Sequence, residues 1–256
     1  MSLLSSVANS ASQSTVDTKL GYLPLEIVNN TNLNNVHIYI FIKALTLNKA
    51  PCIMTFTADG IGTCNDTNIS SIIANTERVS LDKLPKNSQG NTVVYLPKVI
   101  SGRIYFSIGQ PMDLYYNPTS ISIEGADGFK PRDVNYYTLY DMVEFSYDNS
   151  GTWVNPTAVD FFSIPISIHQ GTSPAIQDAG SNQSRVTIFN SVQGVFKTYD
   201  KTSSKEWNKL LLHYADRSNN QTILRLVSPG KGLAVGVPNT TPFDIHYLDP
   251  YIQALS

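Results

Sequence analysis

Charge is scarce in this chain: Lys, Arg, Asp and Glu make up 15% of its 256 residues, and the formal net charge is −2. Soluble domains typically carry roughly 25% charged residues. No basic stripe is present to follow a phosphate backbone, which argues against nucleic acid as a partner. Asn, Ser, Thr and Tyr supply the polarity instead, giving a surface suited to neutral polar ligands. Long apolar runs are missing too. The longest, VHIYIFI over Val36–Ile42, falls far short of the ~18 residues of a membrane span, so no membrane association is expected. The N-terminus, MSLLSSVANSASQSTVDTK, has no basic leader and no adequate apolar core, and it does not read as a secretory signal. Cysteine is limited to Cys52 and Cys64, whose spacing excludes a CxxC redox or zinc motif. A disulfide and two reduced, partly buried thiols both remain open. His37, His169, His213 and His246 are scattered, so no metal site is expected.

What is present is a β pattern. The chain is long enough for one large β-rich domain or two smaller ones. A Ser-rich opening over residues 1–20 is expected to be a flexible tail. Strand-like segments follow at 23–30, 36–45, 53–58, 92–97 and 102–109, separated by clusters of Asn, Gly, Pro and Asp at the spacing of a sandwich or barrel. ISIEG and LYDMVEFSY carry the pattern to Tyr147. Past His169 it changes. Val186, Phe189, Val192 and Phe196 recur at helical spacing. Ser203 and Glu206 form a capping box before a second predicted helix bearing Trp207, Leu210, Leu211 and Tyr214. Residues 21–170 are therefore expected to form a β-barrel or sandwich domain, and 171–256 a smaller α/β subdomain. A strand is expected at 223–228 with a turn at Pro229-Gly230, and Asp249-Pro250 reads as a helix start. The chain stops six residues after Pro250, too few for a helix to stand alone. A fragment, or a protein lacking a C-terminal part, is expected.

The chemistry centres on residues 139–165. In LYDMVEFSYD the alternation puts Glu144, Ser146 and Asp148 on one strand face and Val143, Phe145 and Tyr147 on the other. Asp160 follows sixteen residues after Glu144, with Trp153 between. Two carboxylates are what glycosidic cleavage needs, one to protonate the leaving oxygen and one to supply or activate the nucleophile. The twenty acidic residues of the chain make many pairs by chance, so the surroundings must discriminate. A tight hairpin at 148–151 would leave Glu144 and Asp160 on the order of 13 Å apart at ~3.4 Å per residue. The break at Pro156 is expected to open residues 149–157 into a wide loop that brings them closer.

The segments GRIYFSIG, NYYTLYDMVEFSYD, WVNPTAVDFFSIPI and ILRLVSPGKGL resemble glycoside hydrolase family 64, β-1,3-glucanases related in fold to thaumatin-like proteins. The resemblance runs from about residue 22 over most of the chain. It implies a thaumatin-like β-sandwich or barrel domain with a smaller α/β subdomain beside a wide groove. It also implies Glu144 as general acid, Asp160 as general base, and Ser146, Asp148, Trp153 and Thr157 as groove residues that contact the sugar. Ser146 and Asp148 stand where the family generally has threonine and asparagine, and family members are normally longer than this chain. The implied activity is endo-hydrolysis of β-1,3-glucan with inversion, without cofactor or metal, by an extracellular monomer. A non-catalytic thaumatin-like module that binds β-glucan or acts at a cell surface is the alternative.

Overall fold

Period-two alternation becomes paired strands over most of the chain. The computed structural model describes residues 2–6, 21–76, 79–171, 176–200, 205–214, 222–233 and 242–255. They are mainly β and fall into two compact units interleaved in sequence. The first comprises 1–125, 140–157 and 164–182, the second 126–139, 158–163 and 183–256. The sequence pattern predicts one boundary near residue 170; contacts instead assign 126–139 and 158–163, and with the latter Asp160, to the second unit.

The first unit is built on two large sheets. One joins β1 (Ser2–Ser6), β2 (Leu23–Val28), β7 (Thr92–Leu96), β14 (Ser167–Gly171) and β15 (Gln177–Gly180) in the order β15-β14-β1-β2-β7. Ser2–Ser6 thus forms a strand within the stretch predicted to be a tail, parallel to β14 and antiparallel to β2. The other sheet holds β3 (Ile38–Leu45), β4 (Pro51–Phe56), β5 (Gly62–Asn65), β8 (Val99–Ile108), β11 (Leu139–Asp148) and β12 (Gly151–Asn155), ordered β12-β11-β8-β3-β4-β5. β6 (Val79–Ser80) also pairs with β3. Both sheets contribute to one core: Leu25, Ile27, Val94 and Ile168 from one, Ile40, Ile42, Ile104, Phe106, Val143 and Phe145 from the other. A small hairpin, β9 (Tyr115–Asn117) with β10 (Ser122–Glu124), stands apart from both sheets. Helix α1 (Ile69–Thr76) is an element the sequence pattern did not predict.

Residues 149–157 do not form the predicted wide loop. β11 and β12 close a tight hairpin in which Glu144 pairs with Asn155, Ser146 with Trp153 and Asp148 with Gly151. Gly151 takes φ +130°, a conformation other residues seldom adopt. The Asp148 carboxylate accepts from the Ser150 amide at 2.7 Å, fixing the turn. Pro156 follows the last paired residue, so it ends β12 rather than opening the hairpin.

In the second unit β13 (Phe161–Phe162), β17 (Ile223–Val227) and β16 (Leu211–His213) form a three-stranded sheet. Its helices are α2 (Arg185–Tyr199), α3 (Pro229–Gly232) and α4 (Asp249–Leu255). α2 matches the predicted helical period, capped by Ser184, whose hydroxyl accepts from the Thr187 amide. The predicted helix through Trp207 and Tyr214 is absent. A 3-10 turn over Glu206–Leu210 runs directly into β16. Lys205 enters it at φ +52°, and the buried Glu206 carboxylate accepts from Lys209 Nζ at 2.6 Å and the Asp244 amide at 2.8 Å. Leu211 and Leu212 pair with Leu226 and Arg225. Tertiary partners override the helical spacing; the other half of the capping box, Ser203, lies outside the described residues. Arg225, fully buried, donates to the Tyr136 and Thr138 carbonyls. No helix among the described residues is long and apolar enough to cross a membrane.

Cys52 and Cys64 are joined in a disulfide across the β4–β5 hairpin, with a sequence separation of 12. Closing a loop of that size in the unfolded chain stabilises the fold by about 3 kcal/mol. The double variant Cys52→Ser, Cys64→Ser is expected to lose that amount. Urea unfolding checks this as a lower midpoint; an unchanged midpoint would show that the crosslink does not stabilise the unit.

Candidate active site

Alternation on β11 decides which side chains reach solvent. Val143 and Phe145 enter the core, so Glu144 and Ser146 project from the opposite face together with their neighbours on β8 and β3. That face borders a depression of about 470 Å³ whose lining includes Lys43, Ser101, Arg103, Ile121, Glu144, Ser146 and Trp153. All belong to the first unit.

Local backbone irregularities shape it. The β3–β8 register shifts between Lys43 and Leu45, and Ser101 takes φ +50°. At Gly102 an added Cβ would overlap the Phe145 ring, so glycine is required for that ring to pack. The Ser101 amide donates to Ser146 Oγ at 3.1 Å, tying the irregular segment to β11. Trp153 is 55% exposed, so its ring is open to solvent at the rim of the hairpin rather than packed in the core. Ile121 also sits at positive φ, +49°.

Arg103 faces Glu144 across neighbouring strands: Nε donates to Oε1 at 3.1 Å, and Nη2 lies 3.0 Å from the same oxygen. The Tyr105 hydroxyl also interacts with the Arg103 side chain. Burial keeps the Tyr105 phenol protonated beyond its ordinary range, opposed in part by Arg103. Lys43 pairs with Arg103 in the strand register and donates from Nζ to the Ile123 carbonyl at 2.7 Å, attaching the β9–β10 hairpin to the sheet. Burial, assisted by repulsion from Arg103, lowers the Lys43 amine to about 8, with Glu124 acting in the opposite direction.

Of the sequence-predicted site residues, Glu144, Ser146 and Trp153 share this depression. Asp148, at the hairpin turn, and Thr157, past the end of β12, are outside its lining. Asp160 lies in the second unit, immediately before β13. There its carboxylate is 3.4 Å from Lys231 Nζ and its carbonyl accepts from the Ser228 amide at 2.9 Å. Lys231 in turn stands 4.7 Å above the Phe129 ring.

The family model for glycoside hydrolase family 64, described as beta-1,3-glucanase, matches residues 21–255. This chain belongs to that family. Two curated relatives, glucan endo-1,3-beta-glucosidases of Arthrobacter sp. (strain YCWD3) and Cellulosimicrobium cellulans, are each 27% identical over 154 residues, or 60% of this chain. That stretch covers only 26% of the relatives' own length. Among solved structures, a laminaripentaose-producing beta-1,3-glucanase in complex with laminaritetraose aligns with a TM-score of 0.63 at 22% identity, over 91% of this chain and 58% of that one. A family 64 beta-1,3-glucanase domain from Clostridium beijerinckii gives 0.63 at 22%, over 94% and 62%. At these identities the structural likeness is one of fold.

The carboxylate pattern did not point to Lys43, Arg103 or Tyr105. The signal was present in GRIYFSIG, where Arg103 and Tyr105 alternate with the core residues Ile104 and Phe106 and therefore share the outward face.

The Lys43 amine carries a sign-specific prediction. Its pKa is lower folded, about 8, than unfolded, 10.5, so between those values the unfolded chain binds the extra proton and stability rises with pH. The burial penalty is present in full below pH 8 and relieved by about pH 10.5. Relative to Lys43→Met, the native chain is expected to gain about 2 kcal/mol between pH 8 and 10. Urea unfolding of both at the two pH values checks this; parallel stability curves would show a solvated amine.

Proposed function

We propose that this chain is an endo-β-1,3-glucanase in which Glu144 is the general acid and Asp160 the general base of a single-step inverting hydrolysis. The observation that carries it is Glu144 itself, on the polar face of β11 in one depression with Ser146 and an exposed tryptophan, in a chain of this family. The relatives' names support the reaction, and the laminaritetraose complex of a structural neighbour supports the substrate class.

In this mechanism the protonated Glu144 gives its proton to the glycosidic oxygen as the bond to C1 breaks. Asp160 takes a proton from the water that attacks C1 from the opposite face, and the sugar emerges with inverted configuration. Glu144 ends as carboxylate and Asp160 as acid, and exchange with solvent restores both. The Trp153 ring offers an apolar face for the CH side of a glucose ring. Ser146 supplies a hydroxyl beside it, and Asp148 and Thr157 complete the proposed glucan contacts. The chain is proposed to act outside the cell as a monomer; the Cys52–Cys64 disulfide suits an oxidising compartment.

Reducing-sugar release from laminarin is the test, with the anomer of the first product followed by NMR. Glu144→Gln and Asp160→Asn are each expected to lower turnover about a thousandfold or more, counting lost proton transfer and lost electrostatic stabilisation. Undiminished turnover in either variant would remove that residue from the mechanism, and retention of configuration would remove the single-step route. Saturable laminarin binding without release of reducing ends would identify a glucan-binding module instead.

A further inference from the structure

The depression contains a chain of contacts that glucan hydrolysis by two carboxylates does not by itself require. The Tyr105 ring is buried between Phe41 and Tyr140, each 6.4 Å away between centroids. Its hydroxyl occupies space left by Gly125, where a Cβ would lie 2.8 Å from the oxygen. That hydroxyl bonds Arg103, and Arg103 turns two nitrogens onto the single oxygen Oε1 of Glu144. A rigid core element thus ends, through two side chains, on one atom of the carboxyl group.

Stability does not account for the arrangement. Arg103 and Glu144 are 43% and 29% exposed, and ion pairs that reach solvent contribute little. What the pair does supply is direction. Glutamate on a strand face has three side-chain torsions to sample, whereas the planar guanidinium accepts few geometries. With Oε1 accepting from Nε and Nη2 also 3.0 Å from it, a proton on the carboxyl belongs on Oε2.

We infer that Arg103, held by Tyr105, is a positioning residue that confines Glu144 to one conformation and dedicates Oε2 to proton delivery. This rests on Glu144 being the general acid, and it predicts a loss in kcat rather than in substrate affinity. Misplacing a reacting group by about 1 Å can cost on the order of a hundredfold.

Kinetics on laminarin and crystal structures of the same variants test it together. Arg103→Gln is expected to lower kcat about a hundredfold with KM within about twofold, and Arg103→Lys to recover about tenfold of that loss. In a Glu144→Gln background Arg103→Gln should add no further loss, because its effect passes through the carboxyl. Structures should show one Glu144 conformer in the native chain and several in Arg103→Gln. A raised KM with unchanged kcat would make Arg103 a sugar contact and overturn the inference. So would a single unchanged Glu144 conformer in Arg103→Gln. If the native chain leaves laminarin intact, the glucanase reading falls, while the conformer comparison still decides the positioning role.

Discussion

The polar face of the first unit is tied to the approach of Phe145 to Gly102. The ring occupies the space a Cβ at residue 102 would need, and beside it lie the register shift at Lys43/Leu45 and the positive φ of Ser101. Irregularities of this kind re-aim the side chains that follow, since a one-residue slip on a strand exchanges its two faces. With Phe145 fixed in the core, Glu144 and Ser146 have nowhere to go but outward. With Ile104 and Phe106 fixed likewise, Arg103 and Tyr105 share the other face. Burial of apolar residues between the two sheets and assembly of the polar depression are therefore one constraint expressed on two sides of a sheet.

A chain with few charges places those it has selectively. In the second unit buried or half-buried arginines serve backbone carbonyls: Arg225 those of Tyr136 and Thr138, Arg185 those of Ser163, Ile223 and Leu224. In the first unit the buried Glu26 accepts from the amides of Asn87 and Asn91. These are satisfied polar groups in structural roles. The depression differs, because Lys43, Arg103 and Glu144 interact as charges, with two cations close enough for repulsion to help lower the Lys43 amine. Lys43 remains there because its ammonium group reaches the Ile123 carbonyl and so holds the β9–β10 hairpin beside the depression.

Much of this was legible in the sequence wherever one strand face is buried. The alternation in LYDMVEFSYD identified the outward set, and the helical period of RVTIFNSVQGVFKTY coincides with α2. Legibility failed where spacing was mistaken for structure. Trp207, Leu210, Leu211 and Tyr214 satisfy a helical repeat, yet the buried Glu206 carboxylate and the pairing of Leu211 and Leu212 with β17 leave Trp207 and Leu210 in a 3-10 turn, Leu211 in a strand and Tyr214 just past that strand. Pro156 ends β12 rather than opening a loop, because the Asp148 side chain and Gly151 close the hairpin before it. Arg103 is hidden for a different reason: on one strand it is an isolated cation, and only pairing between strands brings it to Glu144.

Backbone strain also marks the walls of the depression. Ser101 and Ile121 both line it and both hold positive φ. For Ile121 the conformation is especially unfavourable, because its branched Cβ crowds the backbone. Such residues cost about 1–3 kcal/mol each and persist where the surroundings over-determine them. Here those surroundings are visible. Lys43 fixes the carbonyl two residues beyond Ile121, and Tyr115 and Asn117 on β9 bond Glu124 on β10 at 2.5 and 2.6 Å. The second unit has its own depression of about 360 Å³, lined largely by apolar side chains such as Phe161, Phe162, Phe196 and Trp207. None of the described residues with positive φ lines it. A space left between packed elements requires no strain, whereas a wall held in an unfavourable conformation beside a fixed ion pair does. That contrast separates the two depressions by the backbone strain held in their walls.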